Sequence, residues 1–223
     1  NSLLAQSYPS SQYEVLVVDG GSKDKTQQLV AKYSKKDARV KLIIDHEGSI
    51  TSSRNVGIRH ARYPYIAFTD ADCIAPADWL SGLVAGYQKQ ASSYQNLAGV
   101  GGANIPPKDA SNFLTAVGIA FDSFLGSLGS LQAKPFVADK VVDSISCANS
   151  LYSKKALLAV DLFSEDLGNQ GEDWELGYKL RQKGYTLVGL GEHFVWHNMR
   201  STPRSFWKNM VFYGDGRMRL IAK

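Results

Sequence analysis

The chain has 223 residues, 44% of them apolar and 21% charged, with a formal net charge of +4. That is enough apolar material for one sizeable core, and too mild a charge to argue for a nucleic-acid partner. Two cysteines, Cys73 and Cys147, make neither a disulfide framework nor a zinc pattern, and a reducing compartment such as the cytoplasm is the simplest expectation. We read no secretory leader and no run of membrane-spanning length. The nearest, residues 111–133, is Gly/Ser-rich and carries Asp122.

Asn1–Ser7 reads as the closing turns of a helix, stopped at Tyr8-Pro9. Glu14–Val18 is a continuous apolar strand ending at Asp19-Gly20-Gly21-Ser22. A helix over about 23–35 follows, with Ser22 as its N-cap and Leu29, Val30 and Tyr33 inward. Val40–Ile44 is the next strand, and residues 51–61 the next helix. Tyr65–Phe68 is a short apolar run that stops abruptly at Asp70 and Asp72. Pro76 and Asp78 open a helix through Leu83 and Tyr87. Residues 98–104 form a glycine-rich strand halted by Pro106-Pro107. Phe113, Val117, Phe121, Phe124 and Leu128 recur at helical spacing and suit a core or the wall of a cleft. Ser144–Tyr152 reads as a strand. Glu172-Asp173 precede a compact helix, Trp174–Lys183, closed by Gly184 in the C′ position. Thr186–Leu190 and Phe194–Trp196 read as two short strands, and residues 203–223 as an aromatic, basic helix. The alternation of strand and helix predicts an α/β fold with a mostly parallel central sheet flanked by helices.

The acidic residues sit where such sheets do chemistry. Asp19, Asp70 and Asp72 end strands, and open α/β sheets bind ligands at the carboxyl ends of their strands. Two hard oxygen donors one residue apart suit a divalent cation, and a cation suits a phosphorylated substrate. Asp19 either accepts hydrogen bonds from a nucleobase or ribose, or shapes the strand-to-helix turn. Arg54 either pairs with a diphosphate or with a strand-end aspartate. Glu172-Asp173 stand at a helix N-terminus, where the helix dipole favours the ionised carboxylate that a general base needs. His193 and His197 lie four apart on a strand, roughly 13 Å, so they cannot share one ion. His197, at the strand end, is the better ligand. The sequence lacks G-x-G-x-x-G and a P-loop, which disfavours dinucleotide-binding oxidoreductases and P-loop enzymes. No nucleophilic triad is readable, and both cysteines read as small apolar fillers.

Taken in order, Val17–Thr26, Ser53–Gly57, Thr69–Asp72, Gly171–Leu176 and His197 resemble a family-2 glycosyltransferase with the GT-A fold. Residues 148–155 and 181–185 fit the same family. The resemblance spans nearly the whole chain. It implies a single domain over residues 1–223, with a nucleotide-binding half over about 1–105 and an acceptor-binding half over about 106–223. It further implies that Asp19 binds the nucleobase of a nucleotide-sugar donor, most often uracil, that Arg54 helps hold the nucleotide, and that Asp70 touches the ribose and the ion. Asp72, completed by His197, would ligate Mg²⁺ or Mn²⁺. Asp173, with Glu172 beside it, would supply the catalytic base for an inverting transfer to a carbohydrate or lipid-linked acceptor. Members usually begin with an apolar strand, so the chain is expected to be truncated at its N-terminus and to leave a gap beside Val15–Val18. The basic C-terminal segment, with Phe206 and Trp207, is expected to pack on the domain or to touch a membrane surface peripherally. A non-catalytic GT-A-like nucleotide-binding module and a nucleotidyltransferase are the alternatives. The acidic pair at the acceptor helix favours glycosyl transfer over nucleotidyl transfer.

Overall fold

The computed structural model describes residues 1–122, 137–167, 171–198 and 202–221. Phe124 and Leu128 of the apolar stripe, and Arg200 and Lys223 of the basic tail, lie outside them. Two sheets carry the fold. β1 (Val15–Asp19) and β2 (Val40–Ile44) form a parallel pair, with Val15 opposite Val40 and Asp19 opposite Ile44. The second sheet holds β3 (Tyr65–Phe68), β4 (Cys73–Ile74), β5 (Leu97–Ile105), β6 (Lys140–Val141), β7 (Ser150–Ser153) and β8 (Thr186–His197). Its order is β3-β7-β5-β8-β4, with β6 also on β8.

This is the α/β architecture the sequence led us to expect, but the central sheet is mixed rather than mostly parallel. Only β5 and β8 run parallel within it; β3–β7, β5–β7, β4–β8 and β6–β8 are antiparallel. The physical reason is β7, which inserts between β3 and β5 against their common direction. An apolar run such as Ser150–Ser153 carries no cue to its direction, and the two-residue strands β4 and β6 are too short to show periodicity.

Seven α-helices are described: α1 (Thr26–Lys36), α2 (Ile50–His60), α3 (Trp79–Ala91), α4 (Asn112–Asp122), α5 (Lys154–Ala159), α6 (Glu172–Gln182) and α7 (Pro203–Ile221). Side chains alternate faces along each strand, so one sheet feeds two cores. Leu187 and Tyr152 pack with Ile58, Leu157, Leu176 and Leu180 from α2, α5 and α6. Val188 and Leu151 pack with Trp79, Leu83 and Tyr87 of α3 on the other side. Each fully buried leucine there contributes about 1.5–3 kcal/mol. α6 follows Gly171 at its N-cap and gives way to Gly184 at φ 79°, the expected left-handed stop. Ser22 does not cap α1. The helix begins at Thr26, whose N–H bonds the Asp24 carboxylate at 2.9 Å, while the Ser22 N–H donates to Asp19.

The two short strands expected over 186–196 are one strand, β8, interrupted by an irregularity. Its register against β5 runs to Gly101 opposite Gly189 and resumes at Ala103 opposite Phe194. Glu192 takes φ 60° within the irregularity, and His193 is redirected onto α3. Small residues make room for it. A Cβ on Gly82 would stand 2.6 Å from the His193 ring, and one on Gly102 would stand 2.2 Å from the His193 carbonyl oxygen.

A cavity of about 1720 Å³ runs from the carboxyl ends of β1 and β3 back along both strands. Consecutive residues line it, Val15–Val18 on one side and Tyr65–Thr69 on the other. Consecutive rather than alternate lining means that strand edges, not faces, turn toward it. The cavity thus runs beside Val15–Val18. The amino ends of the two strands are tied by Glu14, whose carboxylate accepts from the Arg62 N–H at 2.8 Å and from Lys41 Nζ at 2.9 Å.

Candidate active site

Six of the seven sequence-predicted site residues line this cavity, from α2, the turn after β3, α6 and β8, and Arg54 draws three of the carboxylates together. Ser49 caps α2, accepting from the Ser52 N–H at 3.0 Å, and the helix points Arg54 inward. Its guanidinium pairs with Glu172 at the start of α6, lies 3.5 Å from Asp173 Oδ1 and 3.8 Å from Asp70 Oδ1, and stacks over Phe163. Burial works against the charge of Arg54, but the surrounding carboxylates outweigh it and raise its pKa, so it stays protonated. Of the two partners the sequence allowed for Arg54, the structure shows the strand-end aspartate, together with the helix pair.

Asp173 has an environment unlike that of an ordinary surface carboxylate. Oδ2 accepts from the Cys147 N–H at 3.2 Å, and Oδ1 is buried without a hydrogen-bond partner among the described residues. Burial, reinforced by the like charge of Glu172 and opposed by Arg54, raises its pKa to about 6. Asp70 is also raised by burial, with Arg54 and His197 opposing.

Asp72 follows the end of β3 and is half-exposed; its Oδ1 lies 3.3 Å from His197 Nε2. Asp72, Cys73 and His197 each offer a donor atom, all within 4.8 Å of one another, a spacing that fits one cation. His193 does not join them. It is turned away, its Nε2 donates to the Trp79 carbonyl at 3.1 Å, and burial lowers its pKa.

Asp19 is placed differently. Gly20, Gly21 and Ser22 line the cavity, while Asp19 itself is buried in the wall behind them. Its Oδ1 accepts from the N–H groups of Gly21 and Ser22 at 3.0 and 2.9 Å and from Gln27 Nε2 at 3.0 Å. Hydrogen bonds from the Ser22 side chain, Gln27 and the loop backbone hold its pKa down at about 2. This is the turn-shaping role. Oδ2 is buried with no hydrogen-bond partner among the described residues, so one acceptor is left over.

Residues 1–159 match the model of glycosyl transferase family 2. The chain belongs to that family. A dolichyl N-acetyl-alpha-D-glucosaminyl phosphate 3-beta-D-2,3-diacetamido-2,3-dideoxy-beta-D-glucuronosyltransferase of Methanococcus voltae is 25% identical over 223 residues, covering 98% of this chain and 67% of that protein. A mannosyltransferase of Pyrobaculum calidifontis, solved with GDP-Man and Mn²⁺, aligns at TM-score 0.66 and 19% identity over 93% of this chain and 54% of its own. TarS 1-349 of S. aureus, solved with UDP-GlcNAc, aligns at TM-score 0.62 and 19% identity over 92% of this chain and 55% of its own. These structural likenesses place the chain in the GT-A fold. This family-2 chain thus spans about two thirds of the M. voltae relative and just over half of each of these two solved chains.

Two features of the site escaped sequence reading. Cys73, read as an apolar filler, sits directly opposite His197 in the β4–β8 pairing. The signal was its place immediately after Asp72, which meant little until the partner strand was known. The Cys147 N–H, which fixes the Asp173 carboxylate, is a backbone group and leaves no mark on composition.

Proposed function

We propose that the chain transfers a sugar from a nucleotide-diphosphate sugar, in our reading a UDP-sugar, to a hydroxyl of a carbohydrate or lipid-linked acceptor with inversion and with Mg²⁺ or Mn²⁺. The observation that carries this is the convergence of Asp70, Asp72, Glu172, Asp173 and His197, distant in sequence, on one cavity. The M. voltae relative is named for a glycosyl transfer to a dolichyl-linked acceptor, and TarS was solved with UDP-GlcNAc, which supports the donor and acceptor classes.

Asp173 is the base in this reading. A pKa of about 6 leaves it ionised at neutral pH and close enough to the working pH to take a proton efficiently. It accepts the acceptor hydroxyl proton as that oxygen bonds the anomeric carbon and the bond to the donor diphosphate breaks. Glu172 takes the closer contact with Arg54, and the guanidinium holds both carboxylates in place. Asp72 and His197 would hold the cation, with Asp70 beside them on the ribose. The cation, when bound, supplies positive charge against the diphosphate. Asp19 Oδ2 provides an acceptor for a nucleobase N–H once the Gly20–Ser22 wall shifts.

The acceptor side lies where α4 and α7 meet at the cavity. Phe113 and Phe206 pack edge to face at 6.1 Å, and Phe206 and Lys208 line the cavity. Trp207, Val211 and Met218 are exposed on α7. Apolar side chains and lysine on one amphipathic helix support a peripheral contact with a lipid surface near the acceptor site. No helix among the described residues is long and apolar enough to cross a membrane.

Calorimetry of UDP binding with Mn²⁺, then with chelator, tests the donor site. Sugar transfer or donor hydrolysis that disappears in Asp173→Asn tests the chemistry. Metal-dependent UDP binding without turnover on a donor panel would replace the enzyme reading with a nucleotide-binding module. Unchanged UDP affinity in Asp72→Ala would remove the metal assignment.

A further inference from the structure

A thiol stands inside the cation site. β4 is only two residues long, and its register against β8 sets Cys73 directly opposite His197. Directly opposed residues of an antiparallel pair share a face, with Cβ atoms about 4.5–5.5 Å apart. Cys73 and His197 therefore meet on one side of the sheet, and Asp72, one residue earlier, reaches the same point from the turn that closes with the Cys73 N–H on the Asp70 carbonyl at 3.1 Å. The three donor atoms lie within 4.8 Å of one another. Cys73 is half-buried and packs on the apolar cluster that contains Tyr13, Ala75 and Trp79, so its sulfur faces the site from an apolar backing.

We infer that Cys73 is a third protein ligand of this site and makes it selective for thiophilic divalent cations such as Zn²⁺ and Cd²⁺ over Mg²⁺. The inference rests on the metal site proposed above and concerns the donor set of this chain. A carboxylate alone suits hard cations, whereas imidazole and thiolate together draw the softer ones. Binding converts the thiol to a metal-bound thiolate, with its proton released to solvent. Zn²⁺ then competes with Mn²⁺ for the site.

The chain has two cysteines, so Cys147→Ala leaves Cys73 as its one thiol. Cd²⁺ added to Cys147→Ala is expected to produce the ultraviolet sulfur-to-cadmium charge-transfer band, saturating at a single equivalent. The band should be lost in Cys147→Ala/Cys73→Ser and should need more Cd²⁺ to appear in Cys147→Ala/His197→Ala. Excess Mg²⁺ should leave it intact. Absence of the band in Cys147→Ala overturns the inference, as does its persistence when Cys73 is also replaced. Mn²⁺-dependent UDP binding is measured alongside. If it persists and depends on Asp72 while no band forms, Cys73 is not a ligand and the proposed donor site stands. If it does not depend on Asp72, the donor-site reading itself fails.

Discussion

Asp173 lines the cavity and Asp19 is buried in its wall; they carry the same side chain, yet their proton affinities are pushed in opposite directions. Asp19 sits at the end of a strand, its Oδ1 filled by two backbone N–H groups and Gln27, and its pKa falls to about 2. Asp173 opens a helix, where the dipole favours charge, but it has one backbone donor and a carboxylate neighbour, and burial lifts its pKa to about 6. Position on a secondary-structure element does not decide the matter; the number of donors delivered to the oxygens does. A carboxylate with one oxygen filled by its own loop stays ionised and holds that loop in shape. A carboxylate left short of donors beside a cavity can take a proton, and pairs pushed apart in this way mark the division of acid–base roles.

The comparison can be broken first at Asp173. Asp173→Asn is expected to lower the rate of transfer by about 10²–10⁴-fold, the usual worth of a general base, as read from initial rates at saturating donor. The same substitution should stabilise the fold at neutral pH. The folded pKa of Asp173 is raised, so its stabilising contribution is complete below its ordinary value of 3.8 and is lost as pH rises through about 6. Urea denaturation should therefore show Asp173→Asn more stable than the parent at pH 7, by on the order of 1–3 kcal/mol, with the difference closing toward pH 4. Equal stability at pH 7 would mean that Asp173 is not held in a strained ionised state.

Removing the opposing charge sharpens the contrast. Arg54→Gln strips the cation from three carboxylates and should cost about 3–5 kcal/mol of stability in the same denaturation assay, the range for half of a buried pair. It should also move the rising limb of the rate–pH profile above about 6, because Arg54 is what holds the Asp173 pKa down. A limb that stays in place would show that Arg54 does not set the ionisation of Asp173. Asp19→Asn should have the smallest effect, a loss of about 1 kcal/mol at pH 7 from weakened loop hydrogen bonds. Its pH dependence has the opposite sign. The Asp19 pKa is lowered, so its contribution is present above 3.8 and is lost as pH falls toward about 2. Denaturation midpoints of parent and variant should converge in acid.

Much of the frame was legible because it is written in local pattern. Val40–Ile44 is found with the bounds expected, and Asp70 and Asp72 follow a strand that ends where its apolar run ends. Gly184 marked the end of α6 because only a left-handed residue closes that turn cheaply. What could not be read depends on pairing between distant segments. Arg54 and Glu172 are 118 residues apart, and no spacing rule joins them. Spacing alone would put both His193 and His197 on one face of a regular strand. The irregularity around Glu192 separates their roles by turning His193 onto α3, and nothing in the sequence announces a bulge there. The burial of Asp19 likewise follows from how a loop folds on itself.

The facing edges of β1 and β3 bear on how the molecule comes apart. Their backbone amides border a hollow instead of a neighbouring strand, with side-chain ties at its two ends, Glu14 to Arg62 and Tyr63 to the Ser11 carbonyl at one and Arg54 to Asp70 and Glu172 at the other. Val100, Leu151 and Val188 sit by contrast in a laddered sheet sealed on both faces. Cooperativity should stop at that seam. Hydrogen exchange would then report two foldons, with β1 and β2 releasing their amides through a sub-global opening while the larger sheet exchanges only on complete unfolding.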